Sequence, residues 1–331
     1  MTTVLVTGGA GYIGSHAAKA LADAGHRPVV LDNLSTGRPG DSRDARARRY
    51  GPFVEADLRD GDALDAAFRD HGIEAVMHFA ALSEVGGAEA EPARYWANNV
   101  GGSLSLLQAM GRAGCSRLVF SSTCAVYGDG AADGGLDEDT DRRPAGTYGS
   151  TKRAVEDLIA DIGRATGLQA VIFRYFNVAG ADPGGEIGEA HDPETHLVPR
   201  TLAAAAGEGP PLTVMGSDYP TPDGTPIRDY VHVVDLVAAH LLGLDRLMRG
   251  EGGRVYNLGS GRGYSVREVI GVAERVTGRT VPVIEGPRRA GDAVRLVAAP
   301  DRAAAELGWR PERGLDAMIG DAWRWHGQAG F

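Results

Sequence analysis

The chain has 331 residues, of which 43% are hydrophobic and 24% are charged, and its formal net charge is −10. These proportions are ordinary for a globular protein, and the acidic balance argues against a nucleic-acid-binding protein, which would present a basic face. Two cysteines, Cys115 and Cys124, are too few for a disulfide framework or a zinc cluster, so we expect a cytosolic protein without bound metal. The sequence has no run of about 18 apolar residues and opens directly on a strand pattern, so neither a membrane span nor a signal peptide is expected.

Short apolar runs alternate with helical patterns along the first half of the chain. A helix is predicted over 12–24, with Gly25 as its C-cap, and another from about Tyr148. The polar, basic segment 36–51 is predicted to be a solvated, mobile loop. The apolar runs predict strands over 3–7, 28–32, 53–57, 75–80, 117–122 and 169–176. This alternation predicts a Rossmann-like α/β fold, in which a doubly wound parallel sheet is covered by helices on both faces.

The second half of the chain differs in character. Pro- and Gly-rich segments dominate 182–228, and a helix is predicted near 197–206. A further α/β unit at about 229–257 is expected to return to the main sheet. We therefore expect a dinucleotide-binding domain and a smaller, discontinuous α/β lobe that binds substrate. The domain would comprise 1–176 and about 229–257, and the lobe 177–228 and 258–331.

A glycine-rich turn follows the first predicted strand and opens the first predicted helix. Gly8, Gly9, Gly11 and Gly14 satisfy the G-x-G-x-x-G pattern. In this context the glycines permit a tight turn, and the helix amino terminus offers N–H groups to a pyrophosphate. The turn therefore predicts a dinucleotide-binding site.

Two acidic residues follow the next strands. Asp32 ends the second predicted strand, 18 residues after Gly14, where a carboxylate accepts hydrogen bonds from ribose hydroxyls and repels a 2′-phosphate. Asp57 ends the third, where the adenine would lie. The sequence therefore favours NAD over NADP.

Tyr148 and Lys152 are spaced i, i+4, so both project from one helix face. A phenol with a pKa of about 10 is a poor general base at neutral pH, and lowering that pKa by about three units requires roughly 4 kcal/mol. A cation about 4 Å away at an effective dielectric constant of about 20 contributes a similar amount. The pair therefore predicts a tyrosine that transfers a proton.

Thr123 follows the fifth predicted strand, at the carboxyl end where ligands bind in such sheets. Its hydroxyl can bond the substrate oxygen that Tyr148 protonates or deprotonates. Cys124 beside it could be a nucleophile or a small buried packing residue, and the second interpretation is favoured.

These residues are part of a series of motifs that runs along the whole chain. In its order and spacing the series resembles the extended short-chain dehydrogenase/reductases, and among them the nucleotide-sugar 4-epimerases. The motifs are VTGGAGYIGSH (6–16), LDNLSTG (31–37), HFAA (78–81), NNV (98–100), FSSTCAVYG (120–128), YGSTK (148–152), RYFNVAG (174–180), HDPETHLVP (191–199), PIRDYVHV (226–233), YNLGSG (256–261) and RRAGD (288–292).

The resemblance implies an enzyme that interconverts UDP-glucose and UDP-galactose through a transient 4-keto sugar, with NAD bound throughout and hydride returned to the opposite face. It implies that Tyr148 takes the proton of the sugar 4-hydroxyl, that Lys152 holds NAD ribose hydroxyls and lowers the tyrosine pKa, and that Thr123 steadies the 4-oxygen. It also implies a homodimer formed through helices at about 90–112 and 148–165.

Further site residues are implied by the same resemblance. On the cofactor side they are Gly8, Gly11, Tyr12, Ile13, Gly14, Asp32, Asn33, Asp57, Leu58, Phe79, Ala80, Ala81, Asn98, Ser121, Tyr148, Lys152 and Tyr175. On the UDP-sugar side they are Thr123, Asn177, His196, Leu197, Thr213, Met215, Arg228, Arg289 and Asp292. Among these, Asn177, Arg228 and Arg289 would hold the diphosphate, since an arginine fork can bond two oxygens, and Asp292 would bind the uridine ribose.

Two positions depart from the family pattern. Ser83 stands where many members carry a lysine near the cofactor, which bears on how tightly NAD is retained. Leu296 stands where a bulky aromatic side chain often restricts the sugar pocket, so N-acetylated hexoses remain open as substrates.

Two alternatives remain beside the hexose 4-epimerase. One is another nucleotide-sugar enzyme on the same fold, such as an epimerase of a uronate, pentose or N-acetylhexosamine, a decarboxylating enzyme or a 4,6-dehydratase. Dehydratases place Asp-Glu after the strand-end threonine, whereas this chain has Cys124 and Ala125, which cannot perform that acid–base chemistry. The other is a non-catalytic dinucleotide sensor, which would be expected to lose the tyrosine or the lysine.

Overall fold

The computed structural model describes residues 1–36, 46–128, 135–289 and 292–329. The chain divides into two compact units. The first comprises the described parts of Met1–Gly128, Pro144–Arg174 and Val237–Tyr256, and the second those of Asp129–Arg143, Tyr175–Leu236 and Asn257–Phe331.

The strands, in chain order, are β1 Thr3–Thr7, β2 Arg27–Asp32, β3 Phe53–Glu55, β4 Ala75–His78, β5 Arg117–Thr123, β6 Gln169–Tyr175, β7 Asn177–Ala179, β8 Leu212–Met215, β9 Ile227–His232, β10 Arg254–Leu258, β11 Gly263–Ser265, β12 Val283–Gly286 and β13 Arg295–Leu296. The helices are α1 Tyr12–Asp23, α2 Gly61–His71, α3 Val85–Ala90, α4 Pro92–Tyr95, α5 Gly102–Arg112, α6 Thr147–Thr166, α7 Leu197–Ala206, α8 Val233–Met248, α9 Val266–Thr277, α10 Asp301–Leu307 and α11 Leu315–Ala329. A π-helical segment, Trp96–Gly101, joins α4 to α5, and a 3₁₀ turn, Cys124–Tyr127, follows β5.

A seven-stranded sheet in the order β10-β6-β5-β4-β1-β2-β3 forms the centre of the first unit. Its pairs β1–β2, β1–β4, β2–β3 and β4–β5 are parallel. The chain reverses its direction of winding between β1 and β4, and ligands bind at such a switch point in doubly wound sheets. The predicted Rossmann-like fold is confirmed.

The sheet strands read as continuous apolar runs because the sheet is buried on both faces. All four residues of β4 are buried, as are four of the five in β1. Leu5, Val76, Leu118 and Phe120 join side chains from α2, α5 and α6 in the main core cluster. Helix α2 begins where Asp60 accepts a hydrogen bond from the N–H of Ala63 and ends at a left-handed glycine, Gly72.

The second unit contains two smaller sheets. One has the order β11-β9-β13, with β7 also paired to β9, and the other pairs β8 with β12. Helices α7, α9 and α11 pack together in a cluster that includes Val198, Val269 and Met318.

The prediction that the whole α/β unit 229–257 returns to the main sheet is wrong for its first strand. Strand β10 lies in the main sheet beside β6, but β9 belongs to the smaller sheet. The physical reason is Asp229 of β9, whose carboxylate accepts hydrogen bonds from the N–H groups of Ser260, Gly261 and Ala298 at 2.8, 2.9 and 3.1 Å. Burial raises the pKa of Asp229, so this carboxylate depends on those donors.

The other predicted elements differ from the structure mainly at their ends. The strands predicted over 53–57 and 75–80 stop at Glu55 and His78, so Asp57 and Phe79, both predicted site residues, lie in the loops that follow. Gly25 has a φ of 77° and directly follows the last cap residue of α1. Most of the predicted loop 36–51, namely 37–45, lies outside the described residues. No helix in the described part of the chain is long and apolar enough to cross a membrane.

Leu64→Ala is expected to lower the free energy of unfolding by about 2–5 kcal/mol, because a buried leucine leaves a cavity when it is truncated. Leu64 is 0% exposed in the main core cluster. Urea unfolding followed by far-UV circular dichroism measures the change. Arg69→Ala on the same helix is the matched control, since the exposed Arg69–Asp70 ion pair contributes at most about 1 kcal/mol. Equal shifts for the two variants would contradict this account of the core.

Candidate active site

In the turn between β1 and α1, the glycines lie so close to neighbouring backbone atoms that a side chain would not fit. A Cβ on Gly14 would lie 2.1 Å from the carbonyl oxygen of Gly8, and one on Gly8 would lie 2.7 Å from the amide nitrogen of Ala80. Gly8 also has a φ of 68°, which favours glycine. Gly11 caps α1 without a side chain, and the first turn carries no acidic residue. The positive end of α1 thus meets no capping carboxylate, and this cradle fits a dinucleotide pyrophosphate.

Asp32 lies at the end of β2, beside this turn. Its carboxylate accepts hydrogen bonds from the N–H of Ala10 at 3.0 Å and of Leu34 at 2.8 Å. Two bonds leave lone pairs on a carboxylate, which has about four acceptor positions. The geometry therefore fixes Asp32 against the glycine turn and keeps it able to accept ribose hydroxyls.

Asn33, which follows β2, is hydrogen-bonded to Asp57, which follows β3. Nδ2 of Asn33 donates to Oδ2 of Asp57 at 2.8 Å, and Arg59 donates to both oxygens of the same carboxylate at 2.8 Å. The bond from Arg59 is the main reason that the pKa of Asp57 lies well below its usual range. Asp57 is therefore a fixed anion next to the β2 and β3 ends.

Lys152 of α6 is buried, with 4% of its surface exposed. Its Nζ donates to the carbonyl oxygen of Ser121 at 2.9 Å and lies 5.0 Å from the ring centroid of Phe120. Burial lowers the pKa of Lys152 from 10.5 to about 8, and the charge of Glu156 opposes that change. Helix α6 thus holds an ammonium group against β5, one turn from Tyr148.

Tyr148 is half-buried and packs against the small cluster of Leu82, Ala88 and Tyr95. Thr123, the last residue of β5, is 8% exposed, and its hydroxyl accepts a hydrogen bond from the N–H of Ala125 at 3.2 Å. All three predicted catalytic residues belong to the first unit.

A buried polar chain runs beside Lys152 through His78. Thr7 Oγ1 lies 2.7 Å from His78 Nδ1, and His78 Nε2 lies 2.9 Å from Ser103 Oγ, which donates to the carbonyl oxygen of Asn99 at 2.5 Å. Since the Ser103 proton is used there, Ser103 accepts from Nε2–H, and Nδ1 accepts from Thr7. Burial, aided by the charge of Lys152, lowers the pKa of His78 to about 3, so the ring is neutral.

A buried ion pair continues on the next turn of α6. Arg174 of β6 donates to both oxygens of Glu156, at 2.6 Å from Nη2 to Oε2, and to the Tyr127 hydroxyl at 2.9 Å. Ser122, just before Thr123, donates to Oε1 of Glu156 at 2.5 Å. This network ties the end of β5 to α6, so that Thr123 and Lys152 have fixed positions.

The other predicted cofactor residues lie on the same unit, except Tyr175, which ends β6 and falls in the second. The ring centroid of Phe79 lies 4.9 Å from that of His240. Leu58 packs against Gly102, where an added Cβ would lie 3.1 Å from the Cβ of Leu58. Asn98 donates to Asn99 at 3.0 Å. Ser121 Oγ lies 3.3 Å from His240 Nε2.

The predicted UDP-sugar residues other than Thr123 lie in the second unit. Arg228 of β9 forms an ion pair with Asp292, and the Tyr219 hydroxyl lies 3.5 Å from the same carboxylate. The guanidinium of Arg288 lies 4.1 Å from the centroid of the Tyr219 ring. Arg289 is exposed. The structure thus joins two predicted residues, Arg228 and Asp292, around Tyr219, which the sequence analysis did not single out.

The remaining predictions fall on separate elements. Thr213 and Met215 lie on β8, and their side chains pack against Gly286 of the paired strand β12. Asn177 pairs in register with Tyr230. His196 is the N-cap of α7 and Leu197 its first residue.

His196 belongs to a cluster that sequence reasoning missed. Glu189, His191, Glu194 and His196 hold potential ligand atoms within 4.8 Å of one another. Glu156, Arg174, His78 and Ser103 were missed as well. These four residues could have been noticed because each is a polar residue at a position where a buried strand or helix face normally carries an apolar one.

Comparison with known proteins gives consistent results. The model of the NAD dependent epimerase/dehydratase family matches residues 4–259. A UDP-glucose 4-epimerase of Lacticaseibacillus casei is 46% identical over 325 residues, covering 98% of this chain and 96% of that protein. One of Streptomyces lividans is 47% identical over 324 residues, covering 97% and 95%.

Solved structures are also similar to this chain. That of UDP-glucose 4-epimerase from Brucella ovis in complex with NAD has a TM-score of 0.93 and 48% identity, and the match covers 98% of each chain. That from Bifidobacterium longum in complex with NAD⁺ and UDP has a TM-score of 0.93 and 35% identity, with 100% of each chain covered.

Lys152→Met is expected to raise the free energy of unfolding of the NAD-free chain at neutral pH, because it removes an unfavourably buried charge. The pKa of Lys152 is about 8 in the fold against 10.5 when exposed. Below pH 8 both states are protonated, so the unmodified chain carries the whole cost of burial. Between pH 8 and 10.5 only the unfolded chain keeps the proton, so the stability of the unmodified chain rises and the advantage of the variant shrinks.

Urea unfolding at several pH values between about 7 and 10 measures this change. Lys19→Met is the matched control, because Lys19 is the only other lysine in the sequence and pairs with Asp23 on the surface at 2.9 Å. A difference between Lys152→Met and the unmodified chain that stays constant with pH would show that Lys152 is not held as a costly buried cation.

Proposed function

The chain belongs to the NAD dependent epimerase/dehydratase family, and from that premise we propose that it is an NAD-dependent 4-epimerase that interconverts UDP-glucose and UDP-galactose. The observation that carries the proposal is the buried Lys152 ammonium, held at the end of β5 one helical turn from Tyr148 and within the same unit as Thr123. The naming of the similar proteins as UDP-glucose 4-epimerases supports the same reaction.

NAD is the cofactor, and the residues around the glycine turn fit it. Gly8, Gly11 and Gly14 permit the tight turn that leads into the amino terminus of α1, where N–H groups would hold the pyrophosphate, and Asp32 is placed to accept ribose hydroxyls. Bound NAD supplies the acceptor that takes hydride from C4 of the sugar and returns it. A carboxylate at Asp32 repels a 2′-phosphate, which favours NAD over NADP.

Tyr148 performs the proton transfer. Its phenolate takes the proton of the sugar 4-hydroxyl in the first half of the reaction and returns it to the 4-oxygen in the second. Lys152 stabilises that phenolate because its charge lies in a low-dielectric site and is fixed by Ser121. Thr123 donates to the same 4-oxygen and holds it in place.

The second unit binds the nucleotide. Arg228 and Arg289, with Asn177, bind the diphosphate, and Asp292 binds the uridine ribose. Arg228 and Asp292 already form an ion pair, so a bound nucleotide would exchange part of that pair for its own charged groups. Leu296 pairs in register with Arg228, so its size bears on which sugars fit. His196, Leu197, Thr213 and Met215 complete the proposed contacts.

The main test is ¹H NMR of the purified protein with UDP-galactose, with and without added NAD. We expect UDP-glucose to appear without net formation of NADH. Tyr148→Phe is expected to lower kcat by about 10²–10⁴-fold, because the general acid–base is lost while binding is retained. Conversion of neither UDP-galactose nor UDP-N-acetylgalactosamine would overturn the hexose assignment and direct attention to uronate or pentose nucleotides.

Tyr50→Phe serves as the matched control. It removes a tyrosine hydroxyl from a residue that packs beside β2, away from α6, and should leave kcat unchanged. A Tyr148→Phe variant as active as Tyr50→Phe would refute the proton-transfer role while leaving the overall reaction established by the NMR result.

The chain is also proposed to form a homodimer and to act in galactose or glycan-precursor metabolism in the cytoplasm. Support for the dimer comes from Trp96 and Leu104, which are 42% and 38% exposed on the segments before and within α5. Large apolar side chains grouped on a surface favour association. Residues of α6 would complete the interface.

The double variant Trp96→Glu, Leu104→Glu is expected to halve the molecular mass in size-exclusion chromatography with light scattering, because it would bury two unpaired carboxylates of each chain in the interface. Val283→Glu on β12 is the control, since Val283 is equally exposed at 42% but lies in the second unit. A double variant that elutes with the mass of the unmodified chain would exclude this face from the interface.

A further inference from the structure

Four potential metal ligands gather in one short loop of the second unit. Glu189, His191, Glu194 and His196 lie within eight consecutive residues that lead into α7. One ligand atom from each lies within 4.8 Å of all the others. Two imidazoles and two carboxylates are a donor set that divalent transition ions accept.

The separations between these atoms resemble those of a tetrahedral site. Nδ1 of His191 lies 3.2 Å from Oε1 of Glu189 and 3.7 Å from Oε2 of Glu194. Nδ1 of His196 lies 3.7 Å from Oε1 of Glu194 and 2.5 Å from Oε1 of Glu189. Bonds of about 2.0–2.2 Å to zinc place tetrahedral ligands roughly 3.3–3.6 Å apart. Of these four separations, the one between His196 and Glu189 is shorter than a tetrahedral site allows and would have to lengthen to admit an ion.

Nδ1 of His191 faces both carboxylates of the cluster. This nitrogen is buried, and the carboxylate oxygens of Glu189 and Glu194 lie 3.2 and 3.7 Å from it. An ion at the centre of the four residues would bind the nitrogen together with both carboxylates.

Two of the ligands are already held in place by neighbouring groups. The indole N–H of Trp325 donates to the carbonyl oxygen of Glu189 at 2.9 Å, which fixes the backbone there. The N–H of His196 donates to Oε1 of Glu194 at 2.8 Å. The side chain of Glu189 is 7% exposed and so is shielded from water. Such support around the ligands is characteristic of metal sites.

We propose that Glu189, His191, Glu194 and His196 form a binding site for one divalent transition ion of the zinc class. His196 is also among the proposed UDP-sugar contacts, so the test measures metal binding without UDP-sugar and does not measure turnover, and the two proposals can fail separately.

The test is a titration of the full chain, stripped with EDTA and freed of any affinity tag, with Co²⁺ followed by its visible absorption. We expect one Co²⁺ per chain with the intense bands of a tetrahedral site, and displacement by one equivalent of Zn²⁺. Mg²⁺ and Ca²⁺ should not displace it, because they prefer all-oxygen ligands in larger numbers.

His191→Asn and His196→Asn should each weaken Co²⁺ binding by more than the roughly 10–100-fold typical of a lost outer-shell partner. His326→Asn is the matched control, because His326 also pairs with a glutamate, Glu208 at 2.8 Å, but belongs to no cluster of three or more potential ligands among the described residues. Far-UV circular dichroism checks that each variant is folded. Glu189→Gln is a further variant, and if it does not fold, the two histidine variants decide the question.

Two results would overturn the proposal. One is the absence of saturable Co²⁺ or Zn²⁺ binding to the unmodified chain. The other is binding that His191→Asn and His196→Asn leave as tight as His326→Asn does. In either case the four residues would be an ion-paired loop and not a metal site.

Discussion

The arrangement of the first unit depends on one buried cation. The Lys152 ammonium is removed from water, and the backbone carbonyl of Ser121 and the face of Phe120 receive it. A charge in that position is unfavourable on its own, and the surrounding groups are arranged to tolerate it. Glu156 lies one turn further along α6, and its carboxylate is shared with Arg174 and Ser122. The neighbouring His78 is neutral, so it adds no second positive charge.

The polar chain Thr7–His78–Ser103–Asn99 has a related role. It crosses the region between β1, β4 and the start of α5, where an apolar core would be expected. Every proton in it has an acceptor, so it avoids the cost of unsatisfied polar groups. Such a network allows one arrangement of the strand ends where apolar packing would allow several. The strand ends that it connects are those beside the glycine turn, so the precision of the cofactor cradle depends on it.

Features that depend on residues close together in the sequence could be predicted, whereas those that depend on residues distant in the sequence could not. The β1–glycine–α1 unit and the Tyr148–Lys152 pair are visible because their spacing alone defines a turn and a helix face. The placement of β9 could not be predicted, because its partners β7, β11 and β13 are distant in sequence and are selected by the buried carboxylate of Asp229. The cluster around Glu189 was missed because a loop has no periodicity, so neighbouring imidazoles and carboxylates read as ordinary polar residues.

The basic side chains of this protein are almost all arginines, and its lysines are only Lys19 and Lys152. The two amines differ chemically. Lys19 lies in a surface pair with Asp23, whereas the pKa of Lys152 falls to about 8. An amine with that pKa is partly unprotonated near neutral pH and is therefore the better nucleophile. Reagents that acylate or form imines with lysine would distinguish the two sites by reactivity and by access. Because Lys152 is buried and Lys19 lies on the surface, a reagent must enter the first unit to reach the site of proton transfer, so labelling of Lys152 reports access to that site.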